Sequence, residues 1–183
     1  MRSDLNILTQ WIAPKSRLMD LGCGDGTLLK HLQQEKNIQG IGIEIDPDLV
    51  VTALQNGIDV LQMNLESGLS GFEDRSFDTV ILSQTLQAMK HTEPILREML
   101  RVGRQGIVTF PNFGYWSNRW QVLQGIMPVS EAMPHEWYNT PNVHLCTLKD
   151  FERLIETINA QVVERITLNP SGQRITFLPN LFG

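Results

Sequence analysis

Cysteine is scarce in this sequence. Cys23 and Cys146 are its two thiols, and at that separation they form neither a close metal-binding pair nor a disulfide framework. Both are expected to be reduced thiols of a cytoplasmic protein. Positive charge is scarce as well: 15 Lys and Arg against 20 Asp and Glu leave a formal charge of -5, which supplies no electrostatic footprint for nucleic acid. The nearest basic group, Arg97, Arg101 and Arg104, falls in a helical pattern and is expected to be a solvated face. No apolar run approaches the roughly 18 residues of a membrane span. The opening "MRSDLNILTQWIAPKSR" lacks the apolar core and small-residue cleavage site of a signal peptide. Repeats, low-complexity tracts and linkers are also missing. For a chain of 183 residues, 42% of them hydrophobic, what is left is one globular domain, 1–183, with neither membrane nor nucleic acid among its expected partners.

What is present is alternation. The first two-thirds switch between short apolar runs and helix-period runs, the pattern of an α/β sheet of parallel strands. Strands are expected at Arg17 to Leu21, Gln39 to Glu44, Asp59 to Met63, Phe77 to Ser83 and Gln105 to Phe110. Between them, Thr27 to Glu35 aligns Leu28, Leu29 and Leu32, Pro47 to Asn56 aligns Leu49, Val50, Ala53 and Leu54, and Glu93 to Val102 aligns Ile95, Leu96, Met99 and Leu100. Pro47 suits a first helical turn and Gly57 a C-terminal cap. Leu5, Ile7, Leu8 and Trp11 suggest a further helix before the first strand. After the fifth strand, residues 111–146 are irregular, rich in proline, and hold three of the four tryptophans and both tyrosines. A helix then resumes with Thr147 as N-cap and Asp150 at its third position. "AQVVERITL" is expected to form a sixth strand.

The stretch "LMDLGCGDGTLLKHL" joins the first strand to the first of these helices through Gly22, Gly24 and Gly26. Glycines there let a ligand approach the backbone without a Cβ in the way, while amides of the helix start face it. A dinucleotide fingerprint, G-x-G-x-x-G, would place its third glycine one residue later, where Thr27 stands. Asp20 and Asp25 flank the loop. Two unit charges about 5 Å apart at an effective dielectric near 20 interact by roughly 3 kcal/mol, which disfavours a pyrophosphate and favours a ligand carrying an ammonium and a sulfonium, such as S-adenosylmethionine. Glu44 ends the second strand, where a carboxylate can accept hydrogen bonds from both ribose hydroxyls. Asp46, just before Pro47, is the alternative acid and suits a helix N-cap.

"LMDLGCGDGTLL" resembles the first motif of class I S-adenosylmethionine-dependent methyltransferases, "GIEID" resembles the acid that follows it, and "SFDTVILSQTLQAM" their fourth strand. "DLGCGDGTLLKHL", "LSQTLQAM", "REMLRVGR", "FPNFGYW" and "WYNTPNVHLCTLKDFE" together resemble the methionine biosynthesis protein MetW family over nearly the whole chain. The resemblance implies a Rossmann-like class I methyltransferase fold, a largely parallel sheet with helices on both faces. It implies S-adenosylmethionine, or S-adenosylhomocysteine as product, as the ligand. Carried across, Asp20 and the backbone of Gly22 and Gly24, in the loop closed by Gly26, face the methionine moiety; Glu44 faces the ribose and Asn64 with Leu65 the adenine. Ser83 and Gln84 lie under the sulfonium. Asn64 departs from the aspartate common there, though its carbonyl can still accept from the adenine amino group. Such folds complete their sheet with a seventh, antiparallel strand, and "ITFLPNLFG" stops where it would begin. The expectation is a truncated sequence or an edge finished differently, as by a partner.

Methyl transfer to a good nucleophile needs alignment and desolvation, with a base only if the acceptor starts protonated. The D/N-P-P-Y/F motif that holds an acceptor amine after the fourth strand is missing; "FPNF" follows the fifth. His135, His144 and Tyr138 are the candidate bases, each histidine having an ordinary structural role as its alternative. His144 and Cys146 make two ligands, too few for zinc. Cys23 suits a small apolar filler. Residues 111–146 are either a lid of Tyr115, Trp116, Trp120, Trp137 and Tyr138 over a substrate, a docking surface built on the same tryptophans with Met127 and Met133, or part of the core. The MetW resemblance implies docking to homoserine O-acyltransferase; the competing reading is a small-molecule methyltransferase with an unidentified acceptor.

Overall fold

The structure, a computed structural model, describes residues 5–183, with side chains from residue 7 onward. The chain falls into two compact units, Met1–Leu86 with His91–Thr109, and Gln87–Lys90 with Phe110–Gly183.

The first unit is built on β1 (Arg17–Leu21), β2 (Gln39–Glu44), β3 (Asp59–Gln62), β4 (Phe77–Ser83) and β5 (Gly103–Thr109), with helices α1 (Leu5–Trp11), α2 (Thr27–Lys36), α3 (Pro47–Gln55) and α4 (Thr92–Val102). The sheet runs β3-β2-β1-β4-β5, and every pair is parallel. Side chains alternate between faces along a strand, and that alternation sorts the helices. Leu18, Ile81 and Ile107 join Leu8 of α1, Leu28, Leu29 and Leu32 of α2 and Ala53 of α3 in one cluster. Gly106, the neighbour of Ile107, faces the other way; a Cβ there would meet Met99 and Leu100 of α4. Helices therefore cover both faces, as the resemblance implied.

Local chemistry sets the helix ends. Asp46 caps α3, its carboxylate accepting from the Asp48 amide at 2.9 Å, and Gly57 follows that helix with φ of +80°. Two apolar alignments are corrected: Leu49 and Leu54 of α3, and Leu100 of α4, are exposed. Their helices lie on a sheet, and a helix on a flat support buries a narrower stripe than its full apolar face. Arg101 also departs from expectation. Arg97 and Arg104 are solvated, but the Arg101 guanidinium donates to the Leu69 and Phe72 carbonyls and to Asp74 and Glu98, which fastens the connection between β3 and β4.

The second unit contains α5 (Trp116–Leu123), α6 (Leu148–Thr157) and α7 (Pro179–Phe182). Polar side chains hold its loops. Asn112 Nδ2 donates to the Gly183 carbonyl at 2.6 Å, Arg119 to the carbonyls of Gly114 and Asn180, and Gln121 exchanges hydrogen bonds with the Val129 backbone. The expected sixth strand does not form: in residues 160–168 the sole ladder contact among described residues is the isolated bridge from Leu168 to Arg174. Val162 and Val163 are exposed, so the alternation of that segment buries no face that would fix a register.

The cap of α6 is as expected. Thr147 Oγ1 accepts from the Asp150 amide at 3.3 Å, and Asp150 Oδ2 accepts from the Thr147 amide at 3.2 Å. Thr147→Ala is expected to cost about 1 kcal/mol in urea unfolding. Hydrogen bonds from the Thr147 side chain, then from its backbone, hold the Asp150 carboxyl below its ordinary value of 3.8. A carboxyl lowered in the folded state stabilises above its unfolded pKa, and that contribution is lost as pH falls through the folded one. Amide shifts of Thr147 and Asp150 followed by NMR from about pH 6 to about pH 2 are expected to move only below about pH 4, and no longer together in Thr147→Ala.

Candidate functional site

In an open parallel sheet ligands gather outside the carboxyl ends of the strands, at the point where strand order reverses. Here that point lies between β1 and β4. The first unit brings all the predicted residues to this edge: Asp20 and the glycine loop after β1, Glu44 at the end of β2, Asn64 and Leu65 beyond β3, Ser83 and Gln84 at the tip of β4.

The three glycines have φ of +76° at Gly22, +57° at Gly24 and +76° at Gly26, but they serve different ends. A Cβ at Gly22 would lie 2.5 Å from Thr85 Oγ1, and one at Gly26 would lie 2.8 Å from Ile58 Cγ1. Both positions are closed by packing. A Cβ at Gly24 would meet nothing within 4 Å, so Gly24 is where the loop faces open space. Left-handed backbone costs an L-residue about 1–2 kcal/mol, and forcing a methyl into a filled site about 1–3 kcal/mol more. Gly22→Ala and Gly26→Ala are therefore expected to lose about 2–5 kcal/mol in chemical denaturation and Gly24→Ala about 1–2; equal losses at all three would contradict this division.

The carboxylates differ in their engagement. Asp20 is buried, at 2% exposure. Glu44 accepts from the amides of Gly24, Ile45 and Asp46. Asp25 accepts from the Thr27 amide at 3.0 Å, and hydrogen bonds from Thr27, side chain before backbone, hold its carboxyl low. Asp25 thus secures the start of α2 in addition to placing charge beside the loop. Cys23 registers the summed field: its thiol is pushed up to about 12, first by burial, then by the charges of Asp20, Glu44 and Asp25. Such a thiol is no nucleophile at neutral pH; Cys23 is the buried filler the sequence suggested.

Asn64 Oδ1 accepts from the Glu66 amide at 2.9 Å, capping the short turn Leu65–Ser67. Its second lone pair stays available for a ligand. At β4, sequence reasoning missed two partners. Thr109, the last residue of β5, lies with its Oγ1 3.0 Å from Ser83 Oγ and accepts from the Gln84 amide at 3.2 Å and from Gln84 Nε2 at 3.4 Å. Thr85 donates to the Ser83 carbonyl at 3.1 Å. Gln84 has φ of +56°, an uncommon state for a residue with a Cβ and one that clusters at functional sites. The available signal was parallel register: Ser83 pairs with Thr109.

The residues nominated as bases fall in the second unit. His144 Nε2 lies 3.2 Å from the Lys90 carbonyl, its ordinary structural role, and His135 and Tyr138 are exposed. Cys146, its thiol raised to about 11 by burial and then by Asp150, belongs to no group of three or more metal-ligating side chains among the described residues. Trp116, Trp120 and Leu123 follow one another at helical spacing along α5 with 50%, 58% and 78% exposure. Trp137 and Met127 are exposed as well, whereas Met133 is buried. The bridge from Ser130 to Met133 turns that methionine inward and removes it from the anchors expected of a docking surface. No described helix is long and apolar enough to cross a membrane.

Comparison with known proteins gives a consistent outcome. The family model for methionine biosynthesis protein MetW matches residues 2–183. A bifunctional methionine biosynthesis protein MetXA/MetW of Rhodopirellula baltica is 35% identical over 183 residues, covering 94% of this chain and 29% of that protein, so this chain spans less than a third of that relative's length. Among solved structures, a SAM-dependent methyltransferase of Archaeoglobus fulgidus superposes with TM-score 0.70 at 16% identity, over 91% of this chain and 70% of that one. A phosphoethanolamine N-methyltransferase of Haemonchus contortus, in complex with phosphomonomethylethanolamine and S-adenosylhomocysteine, gives TM-score 0.65 at 19% identity, over 85% of this chain and 36% of that one. At these identities the likeness to the solved structures is one of fold: a Rossmann-like class I methyltransferase.

Proposed function

The chain belongs to the MetW family of methionine biosynthesis proteins, and from that premise we propose that it binds S-adenosylmethionine or S-adenosylhomocysteine at the β1–β4 edge and works with a homoserine O-acyltransferase in the cytoplasm. The observation that carries the ligand reading is charge. Asp20 lies buried in β1, Asp25 stands within the glycine loop and Glu44 accepts from the Gly24 amide at 2.8 Å, so three carboxylates surround the loop, an arrangement that favours an ammonium and a sulfonium over a phosphate. Space supports it too: a Cβ at Gly24 would meet nothing within 4 Å, so the loop backbone is open to approach there.

In this reading Asp20 and the backbone of Gly22 and Gly24 hold the methionine moiety, with Gly26 keeping the loop closed on α2. Glu44 holds the ribose, Asn64 and Leu65 the adenine, and Ser83 with Gln84 lies beneath the sulfonium, steadied by Thr109. When bound, S-adenosylmethionine supplies an electrophilic methyl group. The chain's own residues bind and orient it, and none of the candidate bases belongs to the unit that carries this edge.

The partner reading is supported by the Rhodopirellula baltica relative, where MetXA and MetW are joined in one chain, and by the apolar face of α5. Residues 111–146 then form a docking surface. A metabolite made from methionine, bound beside an early enzyme of methionine synthesis, would report supply to that enzyme. Calorimetric titration with S-adenosylmethionine and S-adenosylhomocysteine tests the pocket, and absence of heat at millimolar ligand rejects it. Co-purification with tagged homoserine O-acyltransferase tests the partnership. No complex at micromolar concentrations, together with methyl transfer to a small acceptor, would favour the methyltransferase reading.

A further inference from the structure

The short turn Leu65–Ser67, capped by Asn64, does not sit flush on α4. A hollow of about 200 Å³ separates the two, with Leu65 and Gly68 on one side and Pro94 and Ile95 on the other. Packing beneath the turn is therefore incomplete, and side-chain hydrogen bonds cross the gap. Glu98 Oε2 accepts from the Leu69 amide at 3.0 Å, which secures the chain just after the turn. His91, immediately before α4, lies with its Nδ1 2.6 Å from Glu66 Oε2, 25 positions away in sequence. A carboxylate accepts and does not donate, so the imidazole Nδ1 is the donor. The His91 side chain gives no cap bond to α4 and is 71% exposed, so its engagement is with the turn and not with its own helix.

We propose that His91 is a positioning residue: by holding Glu66 it fixes which end of the Asn64 amide faces the ligand, and so sets a preference for adenine over a 6-oxopurine. This rests on the adenine role given to Asn64 and Leu65 above. Asn64 Oδ1 accepts from the Glu66 amide at 2.9 Å, and its second lone pair is the one offered to the ligand. An adenine amino group can donate to that oxygen; a 6-oxo group cannot. An Asn64 amide turned by half a rotation would present Nδ2 and donate to a 6-oxo group instead, but it would take the acceptor away from the Glu66 amide. Glu66 thus holds Asn64 in one orientation, and His91 holds Glu66 where it can do so. The pair lies at the surface and adds little to stability; its effect is on the geometry of the turn.

Two measurements on the full chain decide this. The first is calorimetric titration with S-adenosylhomocysteine and with S-inosylhomocysteine, in which an oxo group replaces the adenine amino group. Wild type is expected to bind the inosyl form about tenfold weaker. His91→Ala is expected to narrow that preference about threefold, the size a surface ion pair carries, and His91→Asn, whose Nδ2 can stand in for the imidazole donor, to restore it. A preference that is absent in wild type, undiminished in His91→Ala or unrestored in His91→Asn overturns the proposal. The second measurement needs no ligand: amide hydrogen exchange in the same three proteins. The Glu66 and Ser67 amides are expected to exchange about threefold faster in His91→Ala alone, while Leu69, held by Glu98, stays unchanged. Unaltered exchange at Glu66 and Ser67, or equal acceleration at Leu69, overturns the positioning role. Failure of S-adenosylhomocysteine to bind wild type removes the adenine reading and the preference together, while the exchange result still decides what His91 does for the turn.

Discussion

Glu44→Ala is expected to weaken S-adenosylmethionine binding roughly 100-fold and to lower the stability of the ligand-free chain by about 2–4 kcal/mol. The affinity loss follows from removing a hydrogen bond to a charged acceptor, worth about 1.5–3 kcal/mol, together with part of the negative field at the loop. The stability loss has a separate origin. Three backbone amides, those of Gly24, Ile45 and Asp46, lose their acceptor at once, and water replaces it incompletely where the side chain is buried. Asp46→Ala is the matched control. It removes the N-cap of α3 and is expected to cost about 1 kcal/mol while leaving affinity within about threefold, because the Asp46 amide that supports Glu44 is retained. Calorimetry and urea unfolding on the two variants check both halves. A large affinity loss in Asp46→Ala with little in Glu44→Ala would exchange the roles of the two acids.

Truncating the exposed face of α5 is expected to act on association alone. Buried aromatic anchors at interfaces contribute about 2 kcal/mol or more each, so Trp116→Ala and Trp120→Ala are each expected to weaken the complex with homoserine O-acyltransferase at least about 30-fold. Both side chains are half or more exposed, at 50% and 58%, and each stands on the first or second turn of its helix. Their loss therefore removes little from the unit's own core. The thermal midpoint is expected to stay within about 2 °C, since a loss of about 0.5 kcal/mol moves a domain of this size by no more than that. Binding measured by surface plasmon resonance on both variants separates the outcomes: a complex untouched by either substitution would place the docking surface elsewhere. Met133 is no substitute probe, because it is buried and its truncation would perturb the fold.

The sheet was largely legible in the sequence because its strands are short apolar runs with acids and glycines at their carboxyl ends. β1, β2 and β4 have the expected bounds, and β3 and β5 differ by a residue or two. The capping box at Thr147 and the N-cap at Asp46 were equally legible, since each is a local pattern with one partner a few residues away. What escaped is what depends on distance along the chain. Thr109 reaches Ser83 and Gln84 through strand register, and the separate reasons for Gly22 and Gly26 come from Thr85 and Ile58. Helix α5 was hidden in a segment whose aromatic and proline content reads as irregular; its Asn118 is buried and donates weakly, at 3.4 Å, to the Asn112 and Phe113 carbonyls, which no periodicity announces. The sixth strand failed for the converse reason: a β-branched run has the propensity for a strand but needs a face to bury.

Arg101 gives the connection between β3 and β4 its shape from a distance along the chain. Parallel strands are usually joined through an α-helix. Between Met63 and Ser76 this chain has one short turn, Leu65–Ser67, and no α-helix. The Leu69 and Phe72 carbonyls and Asp74 are held by a guanidinium 32, 29 and 27 positions later, and the Arg101 carbonyl in turn accepts from the Arg75 amide at 2.8 Å. The clasp comes from α4, which follows β4 in the chain. The crossover is therefore held by a helix that lies beyond the strand it leads to, so its shape depends on residues that follow both in sequence.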